Sequence, residues 1–144
     1  MGNLDNSLGF IIVKAARSMK RALELKLSDF NITSSQYAVL ENLWEKNGIS
    51  LSDLGKYLYF DNPTITGIID RMVRDKLVMR RRDKNDRRVI KIYLTDKGRD
   101  LENILPGIAD EVNREAVKNF TDKEKKDIKR LTIKIWENMA EKEK

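Results

Sequence analysis

The chain of 144 residues has no histidine and no cysteine. Without cysteine there is no disulfide framework, no thiolate metal site, no Cys nucleophile and no thiol redox switch. Without histidine, the commonest general base, the commonest transition-metal ligand and the near-neutral pH switch are missing as well. Most enzyme chemistry that a sequence can display is thereby excluded. The carboxylates Asp53, Asp61 and Asp70 read as helix caps and surface charge, and no nucleophile–base pair can be assembled except through Lys or Asp. No metal site and no cofactor is expected. Long apolar runs are absent too. The longest stretch without a charged residue, Phe30 to Leu40, has 11 residues and is partly polar, whereas a membrane helix needs about 20 apolar ones. Met1 to Asn6 contain no apolar signal region, so a cytoplasmic protein without a membrane anchor is expected.

Charge is plentiful and unevenly placed. The whole chain carries a net +6. Between Arg71 and Arg99, twelve basic residues face only four acids, an excess of eight that leaves the remainder at −2. A basic segment on a near-neutral body is the electrostatic footprint of a polyanion binder. A solvated loop in a Lys-rich protein would show the same excess, so the charge has to be placed on elements before it means anything.

The periodicity is helical and interrupted once. Leu4, Leu8, Ile11, Ala15, Met19 and Ala22 recur at steps of three or four, beside a second stripe of Ile12, Ala16, Leu23 and Leu27. This predicts a helix from Asn6 to about Leu27 with an apolar face too broad for one neighbour to cover. Thr33-Ser34-Ser35-Gln36 is a capping box opening a second helix, with Tyr37, Leu40, Leu43 and Trp44 inward and Gly48 as its stop. Ser50, with Asp53 three residues on, caps a short third helix. After a turn at Tyr59-Phe60-Asp61, Asn62 is read as the N-cap of a fourth helix with Pro63 at its first position. In that helix Ile65, Ile68, Ile69 and Met72 point one way, while Thr64, Gly67, Arg71 and Arg74 point the other. Val78 to Arg82 and Arg87 to Leu94 alternate like strands around the turn residues Asp83-Lys84-Asn85-Asp86. Thr95-Asp96 caps a fifth helix that Pro106-Gly107 should kink or break. A second capping box, Thr121 to Glu124, opens a last helix with the stripe Ile128, Leu131, Ile135 and Met139. One domain spanning 1–144 is expected, since no repeat or linker-like segment appears.

A short helix, a turn, a helix with small and basic residues outward, then a basic hairpin make a winged helix-turn-helix layout. Its physics suits double-stranded DNA. A helix fits the major groove, a narrow cationic hairpin suits the negative minor groove, and phosphates are held by Lys and Arg. A winged helix that binds RNA or a protein partner is the competing reading, because fold alone does not choose the ligand. A protein partner would call for an apolar outward face on the fourth helix. Thr64, Gly67, Arg71 and Arg74 are small or polar instead.

Two motifs carry a family resemblance. One is Asp86-x-Arg88 followed by Val89 to Tyr93 and Leu94-Thr95; the other is Asn62-Pro63-Thr64-Ile65-Thr66-Gly67-Ile68-Ile69-Asp70-Arg71-Met72. With the flanking helices, the chain resembles the MarR-type transcription regulators over nearly its whole length. The resemblance implies a mainly α fold with a small β-wing. Residues 33–95 would form the DNA-binding lobe, and 4–27 and 96–144 the dimerisation helices of a homodimer. It implies a repressor on a pseudo-palindromic operator. By the same likeness Arg88 enters the minor groove, oriented by Asp86, and Arg81, Arg82 and Arg87 flank it on the wing. Thr64, Thr66, Gly67 and Arg71 lie along the major groove. Asn62, Pro63 and Arg74 of the same helix are counted with them as DNA-binding, Arg74 within reach of phosphate or guanine. Where the family usually has Gly before the wing, this chain has Lys76; a positive φ there would strain it. Regulators of this kind often bind a small anionic aromatic effector. Lys14, Arg17, Arg21, Tyr37 and Trp44 are the candidate lining, unless the two aromatics are core and the cations a solvated helix face. Sensing by a reactive Cys is excluded in this chain.

Overall fold

The computed structural model describes residues 3–142, so the last two residues of the expected dimerisation segment lie outside it. The described residues fall into two compact units divided after Val112. In the first, a 3-10 turn over Asn3–Asn6 precedes α1 (Leu8–Leu27), followed by α2 (Ser34–Glu45), α3 (Leu51–Leu58) and α4 (Asn62–Arg74). Strands β1 (Val78–Arg82) and β2 (Ile90–Leu94) follow, then α5 (Asp96–Asp100) and α6 (Leu105–Ala116), which runs past the division. The second unit contains α7 (Asp122–Lys142). The fold is thus mainly helical with one small antiparallel sheet. No helix among the described residues is long and apolar enough to cross a membrane.

Local chemistry explains most boundaries. At α2 the Thr33 hydroxyl accepts from the Gln36 N–H at 3.1 Å, and Gln36 Oε1 accepts from the Thr33 N–H at 3.0 Å. Two orphan donors are satisfied at once, and Gln36 is buried in doing so. Thr121 and Glu124 repeat the arrangement at α7, at 3.1 and 2.9 Å. Ser50 caps α3 by accepting from the Asp53 N–H, and Thr95 caps α5 by accepting from the Gly98 N–H.

Four expectations change. The first long helix begins at Leu8, because Asn3–Asn6 close into a 3-10 turn ahead of it. The cap of α4 is Asp61, not Asn62: the Asp61 carboxylate accepts from the Thr64 N–H at 2.8 Å, and Asn62 is already helical. Hydrogen bonding from Thr64, its side chain foremost and its backbone N–H second, holds the Asp61 carboxyl below its usual pKa. The second wing strand begins at Ile90, so residues 87–89 belong to the loop, whose Val89 N–H bonds back to the Asp86 carbonyl at 3.0 Å. Pro106-Gly107 does not kink a helix; it sits in the first turn of α6, where a missing N–H costs no helical bond. The interruption falls earlier, where α5 passes through a 3-10 turn at Leu101–Asn103 to Ile104.

The core of the first unit gathers around α4. Ile65, Ile68, Ile69 and Met72 meet Leu27, Val39, Leu40, Leu43, Leu54, Leu77, Val78, Ile92, Leu94 and Leu105. Each fully buried aliphatic side chain contributes about 2 kcal/mol relative to exposure, so this cluster outweighs any local propensity. The wing is fastened to it. The strands pair from Val78 with Leu94 to Arg82 with Ile90. The segment before α3 adds to the far edge: the Gly48 N–H donates to the Ile92 carbonyl, and the Ile92 N–H to the Ile49 carbonyl, both at 2.9 Å. Gly98 lets α5 approach this base closely, since a Cβ there would lie 2.2 Å from the Leu77 carbonyl oxygen.

Lys76 has a φ of 62°. The left-handed residue turns the chain out of α4 toward the wing. The Lys76 N–H reaches the Val73 carbonyl and the Leu77 N–H the Met72 carbonyl, closing the helix end. The strain foreseen for a non-glycine residue is therefore present.

Candidate nucleic-acid interface

Helix α4 separates its residues by face. Ile65, Ile68, Ile69 and Met72 are buried, while Asn62, Pro63, Thr64, Thr66, Arg71 and Arg74 are exposed and Gly67 is half-buried. The Arg71 guanidinium extends back along the helix toward Gly67, where a Cβ would lie 3.6 Å from its Nη1. The outward surface is small and polar at the N-terminal end and cationic at the C-terminal end. That distribution fits a helix entering a groove with its first turns and meeting phosphates with its last.

The wing presents its cations differently. Arg88 projects from the loop with its side chain 91% exposed. Asp86 holds it in place. One carboxylate oxygen accepts from the Arg88 N–H at 3.0 Å and from Nε at 3.1 Å, and the other from Nη2 at 3.3 Å. These bonds, the side-chain one foremost, keep the Asp86 carboxyl below its usual pKa. A forked Asp–Arg pair fixes direction as well as charge. Arg82 donates to the Arg87 carbonyl at 2.8 Å, bracing the loop across its neck. Arg81 lies over the Tyr93 ring, 5.6 Å from its centre. Asp83 accepts from the Asn85 N–H at 2.8 Å and ion-pairs with Lys91 at 3.5 Å. Between wing and helices runs a cleft of about 650 Å³, with Thr66 and Asn62 on one side, Arg88 and Lys91 on another, and Ser50 and Ser52 beside them. Helix α4 and the wing-tip arginine thus border one open cleft.

Spacing along the chain did not reveal two of these links. Asp70 of α4 ion-pairs with Arg80 of β1, ten residues on. The Leu94 N–H donates to Asn47 Oδ1 at 2.9 Å, across 47 residues. Neither pair has a local periodicity that would expose it.

The candidate effector residues are only partly gathered. Tyr37 and Trp44 meet edge to face, with ring centres 6.0 Å apart. Both polar tips are engaged: the Tyr37 hydroxyl donates to the Glu41 carboxylate, and Trp44 Nε1 donates to the Gly98 carbonyl at 2.9 Å. Burial first, then Glu41, pushes the Tyr37 hydroxyl pKa well above its usual value. Lys14, Arg17 and Arg21 are exposed along α1. The shallow cleft beside Lys14 is lined by Phe10, Ile11, Ala15 and Ser18, and the two aromatics are not part of it. A larger cleft of about 830 Å³ lies elsewhere, with Arg71, Arg74 and Lys97 as cations and Ile32, Leu77 and Leu101 as apolar wall.

A capped helix, a tight turn, a second helix with a polar outer face and a cationic two-stranded wing define a winged helix-turn-helix protein. The MarR family model matches residues 32–90, from two residues before α2 to the first residue of β2. Over that segment the chain is similar to the MarR family. It is 39% identical over 100 residues to the HTH-type transcriptional regulator TtmR of Methylorubrum extorquens, covering 69% of this chain and 51% of that protein. It is 35% identical over 95 residues to the organic hydroperoxide resistance transcriptional regulator of Bacillus subtilis, covering 66% and 65%. The chain therefore spans about half of the first relative's length and about two thirds of the second's. Among solved structures, the S. aureus MepR–DNA complex superposes with a TM-score of 0.85 at 26% identity, covering 92% of this chain and 98% of that one. These relatives are named as regulators of transcription, not as enzymes.

Proposed function

We propose that the protein is a transcription regulator that binds double-stranded DNA in a sequence-specific way, as a homodimer and as a repressor. The observation that carries this reading is Arg88, exposed at the wing tip and held by Asp86, beside a channel whose other wall is α4. Arg88, with Arg81, Arg82 and Arg87 around it, serves the minor groove and adjoining phosphates. Asn62, Pro63, Thr64, Thr66, Gly67, Arg71 and Arg74 serve the major groove. The polar outer face of α4 argues against a protein partner in its place. Residues 33–95 form the reading lobe, and 4–27 with 96–144 hold the dimer. The support for dimerisation is apolar surface left open: Leu8 and Leu25 on α1 are 64% and 71% exposed, and Ile128 and Leu131 on α7 are 48% and 47% exposed. A two-fold dimer then asks for a pseudo-palindrome with half-sites about 10 bp apart. The site of action is the cytoplasm.

Selection of bound sequences from random duplex DNA tests this directly and returns the operator and its spacing. Binding should weaken steeply with salt, and Arg88→Ala should flatten the log–log slope by about 0.9 for each phosphate that the arginine had neutralised. A wild-type slope near zero, or equal competition by RNA duplex of the same length, would refute the DNA reading. Release by a small anionic aromatic effector is part of the proposal. Its candidate lining is Lys14, Arg17, Arg21, Tyr37 and Trp44, and the support is the Tyr37–Trp44 pair on α2, whose ring centres lie 6.0 Å apart. Titration with benzoate should lower operator affinity; an affinity that stays constant removes aromatic carboxylates as effectors.

A further inference from the structure

One wing arginine is placed unlike the rest. Arg80 stands opposite Ile92 in the ladder, and Ile92 is fully buried. Facing residues of paired strands share a side of the sheet, so Arg80 leaves the hairpin on its core side while Arg81 lies over Tyr93. From there it ion-pairs with the Asp70 carboxylate of α4, and its side chain is 31% exposed. The recognition helix and the wing are otherwise joined along the chain by the short turn Asp75 to Leu77, whose middle residue is the strained Lys76. The base of the hairpin is fixed by core packing of Val78, Ile92 and Leu94 and by the bonds of Ile92 to Gly48 and Ile49. The freedom left is a tilt of its outer part relative to α4. A charged bond from the middle of β1 to the side of α4 opposes that motion.

We infer that Asp70 and Arg80 are a positioning pair, which holds the wing against the recognition helix so that both read one stretch of duplex together. Arg80 is a cation of the basic segment that does not touch DNA. Its charge serves geometry, and Asp70 acts on DNA only through it. The inference rests on the DNA-binding reading proposed above.

The test uses the full chain with two probes: a duplex recovered by selection with the wild type, and a random-sequence duplex of the same length. Asp70→Asn, Arg80→Met and the double variant are compared for preference between the probes and for salt dependence. Exposed ion pairs add little to stability, so circular dichroism should show all three folded. Each single variant should lose about tenfold in preference, and the double variant no more than either single one, because both remove the same link. Arg80→Met should keep the wild-type salt slope. The inference is overturned if the two effects multiply, if preference is unchanged, or if Arg80→Met flattens the slope by about 0.9, the mark of a residue that had neutralised a phosphate. A wild type that shows no salt-dependent duplex binding would remove the DNA reading itself. That outcome differs from a wild type that selects sequence normally while the variants match it.

Discussion

Helices α4 and α7 have the same kind of pattern and opposite fates. Both carry apolar residues at helical spacing with charge on the other side. In α4, Ile65, Ile68, Ile69 and Met72 are at most 3% exposed. In α7, Ile128, Leu131 and Met139 are 48%, 47% and 55% exposed, and Trp136 is 49% exposed. The difference teaches that amphipathic period says a face wants covering and not what covers it. Helix α4 lies inside a ring of elements that supply the cover, whereas α7 keeps a stripe of the size that marks an association surface. One stripe stabilises the lobe, and the other is left open for the association proposed above.

The largest effect should come from breaking the α7 stripe. Ile128→Glu with Leu131→Glu should convert a dimer to a monomer in light scattering. Operator affinity should then fall about a thousandfold, since the second half-site is no longer engaged from an effectively high local concentration. A dimer of unchanged mass would show that the stripe is not the interface. Truncating the α4 stripe should act on folding instead. Ile69→Ala deletes a fully buried side chain, and should lower unfolding free energy by about 4 kcal/mol in urea titration. Leu131→Ala, in contrast, should leave the unfolding of a dilute monomer nearly unmoved.

A smaller effect sharpens the comparison at the end of α4. Lys76 occupies a left-handed backbone with φ 62°, which costs a non-glycine residue about 1 kcal/mol. Lys76→Gly should therefore raise the melting temperature by a few degrees while leaving oligomeric mass unchanged. A lower melting temperature would mean that the lysine side chain contributes more than its backbone costs.

The smallest expected effect is that of pH. The Asp86 carboxyl is held below its usual pKa chiefly by its bond to Arg88. A depressed pKa means the bond's contribution is complete above the unfolded value, about 3.9, and is lost only as pH falls through the lower folded one. With no histidine in the chain, operator affinity at fixed salt should stay flat from pH 6 to 8 by fluorescence anisotropy. A strong slope across that range would reveal a titrating group that neither helix displays.

Much of this architecture was legible along the chain because its determinants are local. The two capping boxes, the Ser50 and Thr95 caps and the strand alternation at Ile90, Ile92 and Leu94 each lie within a few residues. The misreadings come where two local solutions compete. Asp61 and Asn62 are both good caps, and only the path of the turn from Tyr59, itself left-handed with φ 59°, decides which carboxylate or amide meets the Thr64 N–H. Pro106 ends one helix or starts another depending on where the preceding residues bend. Residues 87 to 89 alternate like a strand, yet the bond from Val89 to Asp86 curls them into the loop. The wing-tip pair Asp86–Arg88 was expected from the family resemblance carried by its motif. The Asp70–Arg80 pair was not, because its partners meet only when the hairpin folds back along α4.

By itself the sequence determined the kind of protein: the absence of Cys and His, the concentration of charge between Arg71 and Arg99, and the order of capped helices and hairpin. These are matters of composition, period and short-range hydrogen bonding, which need no third dimension. Tertiary structure alone decided which cations stay exposed and which are tied, which apolar stripe is covered, and where the wing lies beside α4. Those outcomes depend on burial and on pairings between distant residues, and the free energy of such a pairing exists only once the chain has brought its partners together.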